Sequence, residues 1–181
     1  MISTTFSSNN SRRGNIFDIQ VNNPLTVESI SVNLNDFLTK EIFLYYKPGT
    51  WVGFQSTAAY WTLAGSVTVT SAGINNPTPV DIPDFYLAGG TYGFYVTTDG
   101  TTSGALHYTE GSTSYGDGNI TIYAGKGTVT PFDGNLTSED RIWNGSITYS
   151  PTSAVPEPTS MAIFGFGALA TAYRARRKSK A

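Results

Sequence analysis

Apolar and polar residues alternate with a period of two along most of this chain. Phe17, Ile19 and Val21 are separated by single polar residues, which predicts a strand with one buried face. Further short segments, rich in β-branched and aromatic residues, follow at close spacing. They are predicted as strands at residues 25–34, 42–46, 60–63, 66–70, 80–82, 85–87, 91–97, 105–109, 120–124 and 142–149.

About ten short strands without a helical window among them predict an all-β domain. We favour an antiparallel two-sheet β-sandwich of jelly-roll type over a barrel. The apolar positions change phase between Val27 and Ile30, which would put the two sets on opposite faces of one regular strand, so we expect a β-bulge or a break near Glu28 and Ser29.

Turn residues predict the connections between these strands. Asp99-Gly100 lies between two predicted strands, which favours a hairpin of residues 91–97 with 105–109 through a longer loop. Residues 71–79 contain two prolines and two asparagines, so we expect a connection there and not a strand.

The composition shows how such a domain stays soluble with few charges. Only 13% of the residues are charged, and 25 Thr with 18 Ser supply most of the polar surface. The aromatic content of 13% argues against intrinsic disorder. Because the chain has no cysteine, disulfides, thiolate metal sites and cysteine nucleophiles are excluded.

The charges are divided unevenly along the chain. Residues 1–157 hold six basic and 13 acidic residues, a net charge of about −7, whereas five basic residues crowd into the last eight positions. An acidic body repels phosphate backbones, so nucleic acid is not an expected partner.

The C-terminal segment has three parts. Residues 150–158 form a linker with three prolines, residues 159–173 are predicted to form a short apolar helix, and residues 174–181 form a basic tail. The uncharged stretch 161–173 gives about 20 Å of helix, shorter than the bilayer core of about 30 Å, so any membrane span is marginal. The basic tail would stay cytoplasmic, with the body outside.

This order of features resembles the PEP-CTERM sorting signal of bacterial surface proteins. Pro156, Glu157 and Pro158 match its motif, and the basic cluster matches its tail. That cluster consists of Arg174, Arg176, Arg177, Lys178 and Lys180. The resemblance implies export and processing by an exosortase, a membrane protease that reads Pro-Glu-Pro and removes the helix and tail.

The resemblance also implies a secretory signal at the N-terminus, and this chain departs from that pattern. Residues 1–14 are polar and lack the apolar run of about 7 to 15 residues that such a signal needs. We therefore expect that Met1 is placed downstream of the true start; the alternative is that the chain stays inside the cell and its tail is a relic. The predicted domain then covers residues 15–149, with 1–14 as a separate polar segment.

The body offers weak signs of chemistry. His107 is the sole histidine, lies opposite Leu106 and Tyr108 on a predicted strand, and has no nucleophile motif beside it, so we interpret it as a solvated strand residue. No spacing singles out a pair of carboxylates for glycoside hydrolysis. We predict no catalytic residue and no dedicated metal site or cofactor, although a structural Ca²⁺ at 117–119 or 139–140 stays open.

Trp51 is the candidate for a surface that binds carbohydrate. It follows Pro48-Gly49 in a turn-like context, so we expect it to be exposed, whereas Trp143 shares the parity of Ile147 and should face inward. The sequence thus favours an exported, non-catalytic protein of the envelope or extracellular matrix. A carbohydrate-binding module that contacts surface polysaccharide and a secreted polysaccharide hydrolase are the alternatives.

Overall fold

The computed structural model describes residues 1–152, and these residues fold almost entirely as β-strands. Fifteen strands and one turn of 3₁₀-helix follow one another along the chain. They are β1 (Ile2–Ser3), β2 (Asn10–Arg12), β3 (Gly14–Val21), β4 (Leu25–Asn33), β5 (Thr39–Pro48), η1 (Ala58–Tyr60), β6 (Thr62–Thr70), β7 (Pro77–Val80), β8 (Phe85–Leu87), β9 (Gly90–Thr97), β10 (Leu106–Glu110), β11 (Tyr115–Gly116), β12 (Ile120–Ile122), β13 (Lys126–Thr128), β14 (Arg141–Trp143) and β15 (Gly145–Pro151).

The strands form three antiparallel sheets. The first sheet has the order β1-β15-β4-β7, with β8 also paired to β4. The second has the order β11-β12-β3-β9-β5-β6, with β13 also paired to β3, and the third is β14-β10-β2. The prediction of an all-β, antiparallel fold is confirmed.

One hydrophobic core joins the sheets. Val27 and Ile30 of the first sheet, Phe17 and Phe94 of the second and Trp143 of the third belong to the same buried cluster. Two larger sheets that bury their inner faces against each other are the arrangement of a sandwich. Trp143 faces inward, as predicted, and is 2% exposed.

The predicted bulge in β4 is confirmed at Glu28. In the pairing of β4 with β15, Ser29 lies opposite Thr148 and Val27 lies opposite Tyr149, so Glu28 is the extra residue. A bulge inserts one residue and thereby reverses the side-chain alternation. Leu25 and Val27 before it, and Ile30 and Val32 after it, are therefore all buried.

The predicted hairpin of residues 91–97 with 105–109 is wrong. β9 pairs with β3 and β5 in the second sheet, whereas β10 pairs with β2 and β14 in the third. The loop between them contains Gly100 and Gly104, both with positive φ. This loop connects a strand of the second sheet to a strand of the third. A loop of this length can make such a crossing as readily as it can close a hairpin.

The proline-rich segment 71–79 is not a connection throughout. Pro77–Val80 forms β7, which pairs with β4 and has no other neighbour among the described strands. Proline is tolerated at a sheet edge because its missing N–H can face solvent. The presence of two prolines therefore marks an edge strand here.

Both ends of the predicted domain also change. Residues 1–14 are not a separate segment, because β1 pairs with β15 and β2 pairs with β10. At the other end β15 continues to Pro151, two residues beyond the predicted limit. The predicted helix 159–173 and tail 174–181 lie outside the described residues.

Candidate functional site

The chain leaves the body from a firmly held strand. Pro151 lies opposite Leu25 in the pairing of β15 with β4, and the N–H of Thr152 donates to the carbonyl of Pro24 at 3.0 Å. The hydroxyl of Ser150 donates to the carboxylate of Glu28. The exit point is therefore fixed at one end of the first sheet.

The sorting residues follow this exit point closely. Pro156, Glu157 and Pro158, and the basic cluster from Arg174 to Lys180, lie outside the described residues. Glu157 is five positions after Thr152, so their Cα atoms are at most about 18 Å apart. The stretch of chain between the folded body and Glu157 is therefore short.

Trp51 is half-buried, which corrects the prediction that it is exposed. Its backbone lies over Gly93, where an added Cβ atom would come within 3.1 Å of the Trp51 Cα and Cβ atoms. Asp18 fixes the loop, because its carboxylate accepts hydrogen bonds from the Trp51 N–H at 2.9 Å and the Thr50 hydroxyl at 2.7 Å. The turn context predicted exposure, but the bare backbone of Gly93 lets the loop fold down onto the sheet.

A buried lysine holds the same loop. Lys47 is 6% exposed, and its Nζ atom donates to the carbonyls of Pro48 at 2.8 Å and Thr50 at 2.7 Å. The ammonium also lies 4.2 Å from the ring centroid of Phe54. Burial lowers the pKa of Lys47, while the charge of Asp18 opposes this shift. The loop that carries Trp51 is therefore preorganised.

Sequence reasoning missed an aromatic cluster on the outer face of the second sheet. Phe132 contacts Tyr45 and Tyr95 edge-to-face, with ring centroids 5.1 and 5.2 Å apart, and Trp61 contacts Tyr95 at 5.8 Å. Trp51 packs against this group. The cluster forms a second, smaller core, because loops cover a sheet face that period-two alternation assigns to solvent.

His107 is half-buried, not a freely solvated strand residue. Its Nδ1 atom lies 3.2 Å from the hydroxyl of Ser8, and its Nε2 atom is buried without a partner among the described residues. Burial lowers the pKa of His107, and the charge of Asp36 opposes this shift. Among residues 1–152, no carboxylate is hydrogen-bonded to the ring. The hydroxyl of Ser8 also donates to the Asn75 side chain at 2.7 Å.

The two candidate calcium positions use their carboxylates differently. Asp117 accepts hydrogen bonds from the Tyr149 hydroxyl at 2.6 Å and from the Asn119 and Ile120 N–H groups, each at 3.1 Å. Burial opposes ionisation of Asp117, but these hydrogen bonds together lower its pKa. Asp140 forms an ion pair with Lys126 at 3.0 Å.

An open cleft of about 460 Å³ lies beside the second of these positions. It is lined by Glu110, Gly111, Ser112, Glu139, Asp140 and Arg141. Arg141 lies 3.5 Å from the carboxylate of Glu110. Within residues 1–152, no three acidic or histidine side chains are grouped closely enough to hold a metal ion.

Two comparisons with known proteins bear on the C-terminus and on the whole chain. No helix in the described part of the chain is long and apolar enough to cross a membrane. No curated protein matches the chain. Residues 154–178 match the family model of the PEP-CTERM protein-sorting motif, as predicted from Pro156, Glu157, Pro158 and the basic cluster. The chain therefore carries a PEP-CTERM sorting signal, which is recognised by exosortase and directs export to the cell envelope.

Proposed function

We propose that this protein is an exported, non-catalytic component of the bacterial envelope or extracellular matrix. Its β-sandwich body, of jelly-roll type, is held outside the membrane by the apolar segment and the cytoplasmic basic tail. An exosortase then cuts near Glu157 and releases the body from this transient anchor. The match of residues 154–178 to the sorting-motif family carries the proposal.

The geometry of the exit strand supports this order of events. Thr152 is tied to Pro24, so the folded body begins at most about 18 Å from Glu157 and about 32 Å from Met161. With the body this close to the membrane, the Pro-Glu-Pro segment is the short stretch of chain between the folded body and the apolar segment. A protease embedded in the membrane would meet that segment first.

The engagement of polar side chains supports a non-catalytic body. The carboxylates of Asp18 and Asp117 are occupied by loop and turn hydrogen bonds, and Asp140 is paired with Lys126. His107 is oriented by a serine hydroxyl, which stabilises an imidazolium far less than a carboxylate does. These contacts serve the fold.

The intact mass of the chain from the native host tests the sorting proposal. We expect the wild-type chain to lose its C-terminal segment near Glu157. The Glu157→Ala variant should stay uncleaved and keep the mass of its full chain. The variant that lacks residues 174–181 should also stay uncleaved, with the mass of a chain that ends at residue 173. Glu139→Ala, which removes an exposed glutamate of the body, is the matched control and should be processed normally. Normal processing of both sorting variants would refute the proposal.

Carbohydrate binding is the alternative for the body. The preorganised loop around Trp51 would present one face of the indole to a sugar ring. Retention on polysaccharide gels that is lost in Trp51→Ala but kept in Tyr60→Ala, a change at an exposed tyrosine, would favour this alternative. Turnover of a glycan, abolished by one Asp or Glu substitution, would instead favour the secreted hydrolase.

A further inference from the structure

Strand β6 forms an open sheet edge unlike the others. It is nine residues long, lies at the end of the second sheet, and pairs with β5 alone among the described strands. The other described strands that end a sheet or branch from it have four residues or fewer. Long, exposed edges are the ones that pair with other chains, and proteins usually protect them with charges, prolines or bulges.

The composition of β6 leaves the second half of this edge unprotected. Residues 62–70 contain no charged residue and no proline. The net negative charge of residues 1–157 is therefore carried by other parts of the chain. The one bulge in its pairing with β5 lies near Ala64, between the partners of Leu44 and Tyr45. Residues 66–70 are therefore a regular, uncharged edge, and Ser66, Thr68 and Thr70 are exposed.

The ladder with β5 shows which backbone groups face the open side. The N–H of Ser71 donates to the carbonyl of Leu38 at 2.8 Å, and the next pair in the register is Thr39 with Thr70. Along an antiparallel ladder, the backbone N–H and C=O groups of successive residues point alternately to the two sides of the strand. The backbone N–H and C=O groups of Val67 and Val69 therefore point towards β5. The backbone N–H and C=O groups of Ser66, Thr68 and Thr70 consequently point outward. They provide three hydrogen-bond donors and three acceptors along the edge.

We propose that this edge pairs with β6 of a second copy of the chain, antiparallel and centred on Thr68. In that register Thr68 lies opposite the partner's Thr68, and Ser66 lies opposite the partner's Thr70. Each such pair exchanges two hydrogen bonds, so every outward backbone group of residues 66, 68 and 70 is satisfied. A register centred on Val67 would leave Thr70 opposite the bulge.

Side chains and charges agree with this register. Threonine lies opposite threonine or serine on the outer face, and Val67 lies opposite the partner's Val69 on the inner face, which are favourable cross-strand pairs. On the neighbouring strand, Lys40 lies opposite Val69 and Glu41 lies opposite Thr68, and the Glu41 carboxylate accepts a hydrogen bond from the Ser66 hydroxyl at 2.7 Å. Glu41 and the partner's Glu41 would be separated by three strand spacings, about 14 Å, where repulsion is largely screened.

Sedimentation of the purified full chain in mild detergent tests the dimer. Thr68→Pro removes an outward N–H and is tolerated at an edge, so dimerisation should weaken at least about tenfold while the chain stays folded. Thr68→Lys places like charges opposite each other and should weaken it similarly. Thr68→Ala keeps the backbone groups and should retain the dimer.

Cross-linking locates the contact independently of these substitutions. Because the chain has no cysteine, Thr68→Cys introduces a single thiol. A short bis-maleimide should then link two chains, whereas Thr113→Cys, at an exposed position outside β6, should not be linked. A monomeric wild-type chain would overturn the proposal. So would association that persists unchanged in Thr68→Pro and Thr68→Lys, the result expected if the C-terminal apolar segment drives it.

Discussion

The contact between Gly145 and Trp143 gives a direct test of the core packing. A Cβ atom added at Gly145 would lie 2.0 Å from Cζ2 and 2.2 Å from Cε2 of the Trp143 indole. The indole has little freedom to move away, because it is 2% exposed and stacks on Phe17 with ring centroids 4.8 Å apart. Gly145→Ala must therefore disturb the centre of the core.

The expected magnitude follows from overpacking. Extra methyl groups in a well-packed core usually cost about 1–3 kcal/mol, and a collision with a rigid, stacked ring belongs at or above the upper end, about 3 kcal/mol. Trp143→Ala should itself cost about 3–5 kcal/mol. With the indole gone, Gly145→Ala should cost less than about 1 kcal/mol, which gives a coupling of about 2 kcal/mol.

Urea unfolding followed by circular dichroism measures the four free energies of this cycle. Gly89→Ala is the matched control, because its added Cβ atom would be 3.7 Å from the nearest heavy atom, and it should change stability by less than about 0.5 kcal/mol. Additive effects of Gly145→Ala and Trp143→Ala, or a cost of Gly145→Ala as small as that of the control, would refute the packing described here.

Two further predictions concern pH and backbone strain. His107 has a pKa below its ordinary value of 6.5 because of burial, so the unfolded chain binds the proton more tightly, and stability should fall as the pH drops below about 6.5. Melting temperatures between pH 5 and 7.5 should show this loss, and His107→Gln should flatten it; an unchanged slope in the variant would contradict the assignment. Phe37 is 98% exposed with φ at 58°, so Phe37→Gly should stabilise the chain by about 0.5–1 kcal/mol while Phe37→Ala stays near neutral. Destabilisation by Phe37→Gly in urea unfolding would show that the ring has a packing role.

The longer strands could be predicted because their signal is local. Period-two alternation located β3 and β4, runs of apolar, aromatic and β-branched residues located β5 and β9, and the change of phase located the irregularity at Glu28. The strands β1, β2, β11 and β13 were missed, since each has only two or three residues and exists because a longer neighbour pairs with it. The false hairpin has the same origin, because no local pattern states which sheet a strand joins.

The candidate sites divide in the same way. The sorting signal could be read from the sequence because Pro156, Glu157, Pro158 and the basic cluster form a linear motif. The burial of Trp51 could not, because it depends on Gly93, which is distant in sequence and leaves room for the loop. Likewise, the burial of His107 could not be predicted, because its ring contacts Ser8, which lies in the segment 1–14 that we predicted to be separate from the domain.

The low charge of the body has a further consequence for its edges. Only six Lys and Arg residues precede the tail, so charged side chains are scarce as protection for strands. The described edges other than β6 are protected by shortness, as in β1 and β11, or by proline, as in β7. Strand β6 has neither. In the proposed dimer, its outward backbone N–H and C=O groups at residues 66, 68 and 70 form hydrogen bonds with the same groups of a second copy. On a surface that relies on threonine in place of charge, β6 is thus the described edge that neither shortness, charge nor proline protects.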